Sequence, residues 1–405
     1  MAMVLPSAAE VTEQDSLLAK QFRRGLLKLG VLCVLGTIYA VAHEIIPWHV
    51  VLALWHSTRW LLGTVVAIRL LGPLVTLALC RWRPRHNAPR LGGRVAVVTG
   101  ASAGVGRQSA LQLAQLGCTV ILGCRSEQRG KAAELELQRL AREAWQKTGG
   151  ITLACGRVEF IQLDLADLSS VRAFAKTVAT KYPRVDLLVN NGGLNAFGPP
   201  RATKDGFEEV FGVNYLGHFL LTQLLLPSLR ASAVRHNEQG LAGVSRGFCG
   251  PRIVSLSSVM HRHATAAELL GFMKQAAGMG VASAAFKVLG GSGAATPTAG
   301  SERSGDGLPD STYGASKLAM VAMTAELERR LVKETGGEVG AVGGCRVSAV
   351  SVNPGAVNSE IWRSLPLWAW YGRWAIGSLF FLSPEDGAAT TLFAGTAYPS
   401  DGWVR

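Results

Sequence analysis

The sequence predicts an α/β domain with a doubly wound parallel sheet and helices on both faces, preceded by an apolar N-terminal segment. Three observations carry that expectation. Short apolar runs alternate with longer helical patterns from Arg94 onward, as in successive strand–helix–strand units. A glycine-rich turn, Thr99–Gly106, follows the first apolar run directly and opens a helix. Asp164, Asn190, Ser258 and Asn353 stand at or just beyond strand ends, and ligands of such sheets bind beyond the carboxyl ends of the strands.

The 405 residues suffice for one large domain and an appendage. Hydrophobic residues make up 48% and charged residues only 17%, which excludes a disordered chain. A formal charge of +13 raises nucleic acid as a partner. However, Lys and Arg are scattered, with no zinc-finger spacing and no aromatic RNA-binding signature. No nucleic-acid partner is expected; a basic surface facing anionic lipid or a phosphorylated cofactor fits better. The seven cysteines are odd in number, widely spaced and without a CxxC pair. That pattern fits a reducing compartment and buried thiols, with no metal site.

Residues 1–25 form a polar leader containing Glu10, Glu13 and Asp15, which disfavours an import peptide. Residues 26–80 are strongly apolar and read as a membrane anchor of one or two helices. Leu29–Ala42 and Ile45–Thr58 carry no charged residue, and Trp60–Cys80 carries Arg69 at its middle. A central Arg costs about 2.5–3.5 kcal/mol on insertion, against about 0.3–0.6 returned by each Leu, Ile, Val or Phe. Lys20, Arg23, Arg24 and Lys28 flank one side, and Arg81, Arg83, Arg85 and Arg90 the other. The simplest layout is a hairpin with both flanks, and the domain that follows, in the cytosol. A cleaved signal ending Ala40-Val41-Ala42 and an interfacial anchor are the competing layouts.

A basic linker, 81–93, leads into the catalytic domain, 94–405. Its expected elements are strand Arg94–Val98, a helix through Leu116, strand Thr119–Cys124, helix Glu127–Lys147, strand Val158–Leu163, helix Ser169–Lys181 and strand Asp186–Asn190. A long helix, Phe207–Leu226, then precedes strand Arg252–Leu256, a helix from Tyr313 to about Val332, and strand Arg346–Val352. Gly100, Gly104 and Gly106 allow a tight turn, close approach to a pyrophosphate and packing of the helix on the sheet. The second strand ends in Arg125, where an acid would hold a ribose 2′-hydroxyl and an Arg accommodates a 2′-phosphate. With Arg107 as a second partner, NADP(H) is favoured over NAD(H), although Glu127 lies close by. Tyr313 and Lys317 are one helical turn apart on one face. An ammonium so placed is expected to lower the tyrosine pKa from about 10.

Taken together, these residues resemble the short-chain dehydrogenase/reductase family, with its Rossmann-type fold, over roughly 94–405. The segments Gly206–Phe219 and Pro354–Glu360 resemble its retinol-dehydrogenase-like branch. The resemblance implies that Thr99, Gly100, Ser102, Gly104, Val105 and Gly106 hold the cofactor phosphates. It places Asp164 at the adenine and Asn190 and Gly192 near the adenosine side. Pro354, Gly355, Val357 and Ser359 would border the nicotinamide. Asn214, Ser258, Tyr313 and Lys317 match the family's catalytic tetrad. Tyr313 would exchange the proton, Ser258 orient the substrate oxygen, Lys317 tune the phenol and bond the ribose, and Asn214 position a water.

The sequence departs from the family pattern in five places. The usual Asn-Asn-Ala-Gly is Asn190-Asn191-Gly192-Gly193, and Asn353 precedes the Pro-Gly pair. Ser258 and Tyr313 are separated by a low-complexity insertion at about 277–310, with similar expansions at Ala231–Gly250 and Gly336–Gly344. The aromatic, apolar stretch Leu365–Leu382 matches a region that helps form the family's substrate pocket. The expected activity is a membrane-bound, NADP(H)-dependent interconversion of a lipophilic alcohol and its aldehyde or ketone, with retinoids, steroids and polyisoprenoids as candidates. Membrane lipid is an expected partner, an oligomer is left open, and the endoplasmic reticulum is the expected location. The competing reading is a catalytically idle nucleotide-binding membrane scaffold or redox sensor.

Overall fold

The computed structural model describes residues 91–147, 155–195, 201–238, 250–278, 311–335, 345–362 and 381–396. The expected leader, membrane anchor and most of the linker lie outside the described residues. So do 279–310 of the insertion, the expansion at 336–344 and nearly all of the aromatic stretch.

Six parallel strands lie in the order β3-β2-β1-β4-β5-β6. They are β1 (Val95–Thr99), β2 (Thr119–Cys124), β3 (Val158–Gln162), β4 (Leu187–Asn190), β5 (Arg252–Leu256) and β6 (Ser348–Val352). The helices between them are α1 (Gly104–Gln115), α2 (Glu127–Lys147), α3 (Leu168–Lys181), α4 (Glu209–Glu238), α5 (Ala266–Gly278), α6 (Ser311–Glu334) and, after β6, α7 (Pro384–Thr396).

Both faces of the central strands are buried, which is why β1 reads as an unbroken apolar run rather than an alternation. Its side chains nevertheless divide by period two. Ala96 and Val98 join a core with Leu113 of α1, Leu137 of α2 and Leu392 of α7. Val97 joins the opposite core with Phe174 of α3, Leu225 of α4 and Leu331 of α6. Leu91, expected in the linker, is 1% exposed, and its amide bonds the Leu116 carbonyl, so the folded unit starts before Arg94.

Two boundaries differ instructively from expectation. The helix expected to end at Leu226 runs through Pro227 to Glu238. Residues 231–238, read as part of a low-complexity expansion, are therefore its last two turns. An interior proline costs about 3 kcal/mol. Burying Leu229 and Ala233 beyond it, with about 1.5–3 kcal/mol for a leucine alone, offsets that cost. By length and composition α4 could cross a membrane, but 78% of its apolar window is buried within the fold, as a core helix requires. Near its start, α4 contains a π-turn at Gly212–Leu216, a distortion frequent at functional sites.

At the amino end of the sheet, Asp186 lies just before β4 and Arg94 just before β1. The Asp186 carboxylate accepts from the Val95 amide at 2.8 Å, Ser232 Oγ at 2.7 Å, His236 Nε2 at 3.0 Å and Arg94 Nη1 at 3.3 Å. Burial works against its charge. The His236, Ser232 and Val95 hydrogen bonds and the Arg94 guanidinium outweigh burial and hold the carboxyl below its usual range. Removing the carboxylate would take the counter-charge from beside the buried Arg94 guanidinium. Asp186→Ala is expected to lower unfolding free energy by about 3–5 kcal/mol, read as an earlier urea midpoint.

Candidate active site

A cavity of about 610 Å³ opens beyond the carboxyl ends of the strands. One end is formed by the turn after β1, the end of β2 and Asp164 after β3. The other is formed by Ser258 after β5, Tyr313 and Lys317 of α6, and the loop after β6.

The first end is shaped by glycine. Gly100 and Gly104 have φ of 65° and 59°, a region that side chains other than glycine rarely occupy. A Cβ on Gly100 would lie 2.7 Å from Gly192 Cα, and one on Gly106 2.7 Å from the Gly100 carbonyl oxygen. Asn191 closes this packing by donating Nδ2 to the Thr99 carbonyl at 2.8 Å. Helix α1 starts with no side-chain cap and no acid in its first turn, so its first amides and its dipole are available to an anion. Arg125, Ser126 and Arg129 line the wall beyond β2. Glu127 is not on that wall; it pairs with Lys131 at 2.6 Å on the surface. The glycine cradle, uncapped helix and cationic wall fit a nicotinamide dinucleotide.

The second end is a closed polar corner. The Tyr313 phenol, 8% exposed, lies beside the Ser258 side chain at the edge of the cavity. Ser258 also caps a short 3₁₀ turn, Val259–His263, by accepting from the Met260 amide at 3.3 Å. Lys317 Nζ donates to the Leu256 carbonyl at 3.0 Å and lies 5.6 Å from the centre of the Tyr313 ring. Burial pushes the phenol up to about 12, with the Ser258 hydroxyl opposing it, and pushes the Lys317 ammonium down to about 8. The expected lowering of the tyrosine by the lysine is absent from this arrangement, because desolvation dominates both groups.

Asn214 lies behind the corner, in the π-turn. Its Oδ1 accepts from the Leu194 amide at 2.8 Å, and its Nδ2 donates to the Leu194 carbonyl at 3.0 Å and to Ser316 Oγ at 3.1 Å. Ser316 in turn donates to the Tyr313 carbonyl at 2.8 Å. Asn214 therefore fixes the loop after β4 against α6.

Of the residues expected from sequence, Gly100, Ser102, Gly104, Val105, Arg125, Asp164, Gly192, Ser258, Tyr313, Lys317, Pro354, Gly355, Val357 and Ser359 line the cavity. Thr99, Gly106, Asn190 and Asn214 stand behind it as supports. Asn190 donates Nδ2 to Thr222 Oγ1 at 3.0 Å. Arg107 turns away and pairs with Glu136 at 2.6 Å, while Arg129, one turn into α2 and unnoticed in the sequence, occupies the cationic wall. Leu194, Met260 and Ile361 also escaped notice; they pack around Tyr313 with apolar surface, and no motif marks them. Phe381, from the aromatic stretch expected to help form a pocket, also lines the cavity. Glycine at 192 also has a reason. A Cβ there would lie 2.8 Å from Leu165 Cδ1, so Leu165 fills the space of the family's usual alanine methyl.

Comparison with known proteins agrees with this geometry. The short chain dehydrogenase family model matches residues 94–238. Polyprenol dehydrogenase of Mus musculus is 33% identical over 354 residues, 85% of this chain and 86% of that protein. The chain belongs to the short-chain dehydrogenase/reductase family. Within it, the relatives place the chain in the retinol-dehydrogenase-like branch. Retinol dehydrogenase 11 of Mus musculus is 35% identical over 304 residues, 75% of this chain and 73% of that one. Retinol dehydrogenase 14 of Homo sapiens is 31% identical over 356 residues, 87% and 86% of the two chains. Short-chain dehydrogenases/reductases are oxidoreductases that bind NAD or NADP.

The Ser258 hydroxyl opposes the upward push on Tyr313, so removing it should raise the phenol further. In Ser258→Ala, alcohol oxidation, which needs phenolate, is expected to fall more than carbonyl reduction, and its pH–rate limb should move to higher pH. Initial rates in both directions between pH 6 and 10 measure this.

Proposed function

We propose that this protein is a membrane-anchored, NADP(H)-dependent oxidoreductase that interconverts a lipophilic alcohol and its aldehyde or ketone. The observation that carries the reading is the corner itself: a buried phenol beside a serine hydroxyl and a buried lysine, facing an apolar wall of Leu194, Met260, Ile361 and Phe381.

When bound, the nicotinamide ring supplies or accepts a hydride. In reduction, Tyr313 gives its proton to the substrate oxygen as negative charge develops there, and in oxidation it takes the proton back. Ser258 holds that oxygen in line with the phenol. Lys317, retained at the Leu256 carbonyl, supplies a positive charge near the phenolate left behind. Asn214 keeps the loop after β4 and helix α6 in register and helps position water on the proton path. The apolar wall admits a hydrocarbon substrate and excludes water. Retinoid, steroid and polyisoprenoid alcohols all fit that description, and the names of the relatives favour the first and last.

NADP(H) is favoured because Arg125 lines the wall beyond β2, next to Arg129, which pairs with Glu360, and Glu127 is tied to Lys131 outside it. The apolar residues 26–80, flanked by Lys and Arg, support membrane anchoring with the domain facing the cytosol; the endoplasmic reticulum is chosen by the family resemblance alone. Such an anchor would bring the cavity to a substrate dissolved in lipid.

The test is NADPH oxidation by the detergent-solubilised full chain with retinal, steroid ketones and a polyprenal. Turnover is expected with at least one of them, and Tyr313→Phe should lose about 10²–10⁴-fold while still binding NADPH. NADPH binding without turnover on any of them would sink the reading in favour of an idle nucleotide-binding scaffold. In a separate fluorescence titration, Arg125→Asp should raise the Kd for NADPH by about tenfold or more and leave NADH nearly unchanged. Equal losses for both cofactors would remove Arg125 as the selector.

A further inference from the structure

His218 is fully buried on α4, one turn after Asn214, and belongs to no expected role. Its two ring nitrogens reach two parts of the site. Nδ1 lies 2.9 Å from the Asn214 carbonyl, and Nε2 lies 2.8 Å from Thr99 Oγ1. A carbonyl only accepts, so Nδ1 carries the proton and Nε2 is the acceptor of the neutral ring. The Thr99 hydroxyl therefore donates to His218 at 2.8 Å in preference to its longer alternative, the Val189 carbonyl at 3.3 Å. Its oxygen is then left to accept from the Asn191 and Gly192 amides, at 2.9 and 2.8 Å.

The chain of bonds is continuous. It runs from the loop after β4, through Thr99 at the mouth of the glycine turn, through the imidazole, to the carbonyl of the π-turn whose side chain holds α6. A protonated ring would reverse it, because Nε2–H would compete with two amides for one hydroxyl oxygen. Burial, first, and the nearby Lys317 charge hold the imidazole down to about 4, against the helping bond to Asn214, so the neutral tautomer persists at working pH.

We propose that His218 is a positioning residue that ties the cofactor turn to the Asn214 π-turn, each ring nitrogen serving one of the two. A satisfied core histidine would hold only the fold. The present assignment predicts that the two halves of its work separate. The inference rests on the reading of this site as a dehydrogenase centre.

Two isosteres divide the ring. In His218→Asn the amide nitrogen replaces Nδ1, keeping the Asn214 bond and losing Thr99. In His218→Gln the amide oxygen replaces Nε2, keeping Thr99 and losing Asn214. Losing one buried partner is worth about tenfold. His218→Asn should therefore raise the NADPH Kd, by fluorescence titration, about tenfold, with a much smaller loss of kcat at saturating cofactor. His218→Gln should lower kcat about tenfold with a much smaller change in Kd. Thr99→Val should reproduce the Kd effect of His218→Asn, and the double variant should add little to either. Parallel loss of Kd and kcat in both His218 variants, or a fall in melting temperature with neither changed, would overturn the proposal.

If one His218 variant fails to fold, the other decides: an effect confined to Kd in His218→Asn, or confined to kcat in His218→Gln, supports the proposal, and a parallel change in both quantities overturns it. A wild-type chain that binds NADPH without turnover would defeat the functional reading, while the Kd comparison would still decide the link to the cofactor turn.

Discussion

The carboxyl ends of β1 and β4 lie so close that nothing larger than hydrogen fits between Gly100 and Gly192. That contact sits where the sheet order reverses: β2 and β3 extend from one side of β1, and β4, β5 and β6 from the other. Chains leaving the two strands must diverge there, and the divergence opens the crevice that α/β sheets use for ligands. Thr99 and Asn191 hold the contact shut with three bonds to the opposite loop. The uncapped start of α1 then faces the opening, and the corner at α6 stands across it. A side chain at either glycine would push the two walls apart and misplace everything mounted on them.

Burial acts on the corner in a way sequence spacing conceals. Four residues on a helix bring Lys317 beside Tyr313, but the lysine turns to the Leu256 carbonyl and both groups lose water. Each is driven towards its neutral form, the phenol up to about 12 and the ammonium down to about 8. Moving a phenol from 10 to 12 disfavours the phenolate on the order of 3 kcal/mol. Tyr313 is thus held protonated at neutral pH. Proton acceptance by the same group needs positive charge brought to the corner, and Lys317, still largely protonated at pH 7, is the nearest source. Ser258 moves the balance in the same direction.

Much of this was legible in the sequence because several local signals agreed. Strand β2, helix α2 and strand β5 fall on their expected limits, Thr119–Cys124, Glu127–Lys147 and Arg252–Leu256, since apolar runs there are bounded by turn residues or charges. The glycine turn and the Ser-Tyr-Lys corner were readable for the same reason. What stayed hidden depends on long-range contacts. Helix α4 passes Pro227 because Leu229 and Ala233 are wanted in a core built from distant strands. Arg107 and Arg129 are equally basic in sequence. Only the position of Glu136 across the α1–α2 interface takes the first away from the cleft, leaving the second on its wall. Arg129 itself meets Glu360 at 2.6 Å, a pair between α2 and the loop after β6 that no spacing rule could give.

The sheet carries polar groups at both ends, and the contrast separates stability from chemistry. At the amino end, Asp186 accepts from four donors and is held ionised despite burial. A carboxylate so saturated has little capacity to exchange a proton near neutral pH, and its work is to join the starts of β1 and β4 to the end of α4. At the carboxyl end, the same low dielectric acts on groups with fewer partners. Tyr313 has Ser258 beside it and a face open to the cavity; Lys317 has one carbonyl. Burial without full compensation is costly for folding, yet it leaves a phenol able to move its proton and an ammonium able to respond. Strands β1 and β4 run between the two clusters. Their amino ends are tied through Asp186 and their carboxyl ends through Thr99, so the satisfied cluster helps hold the walls of the reactive one at a fixed separation.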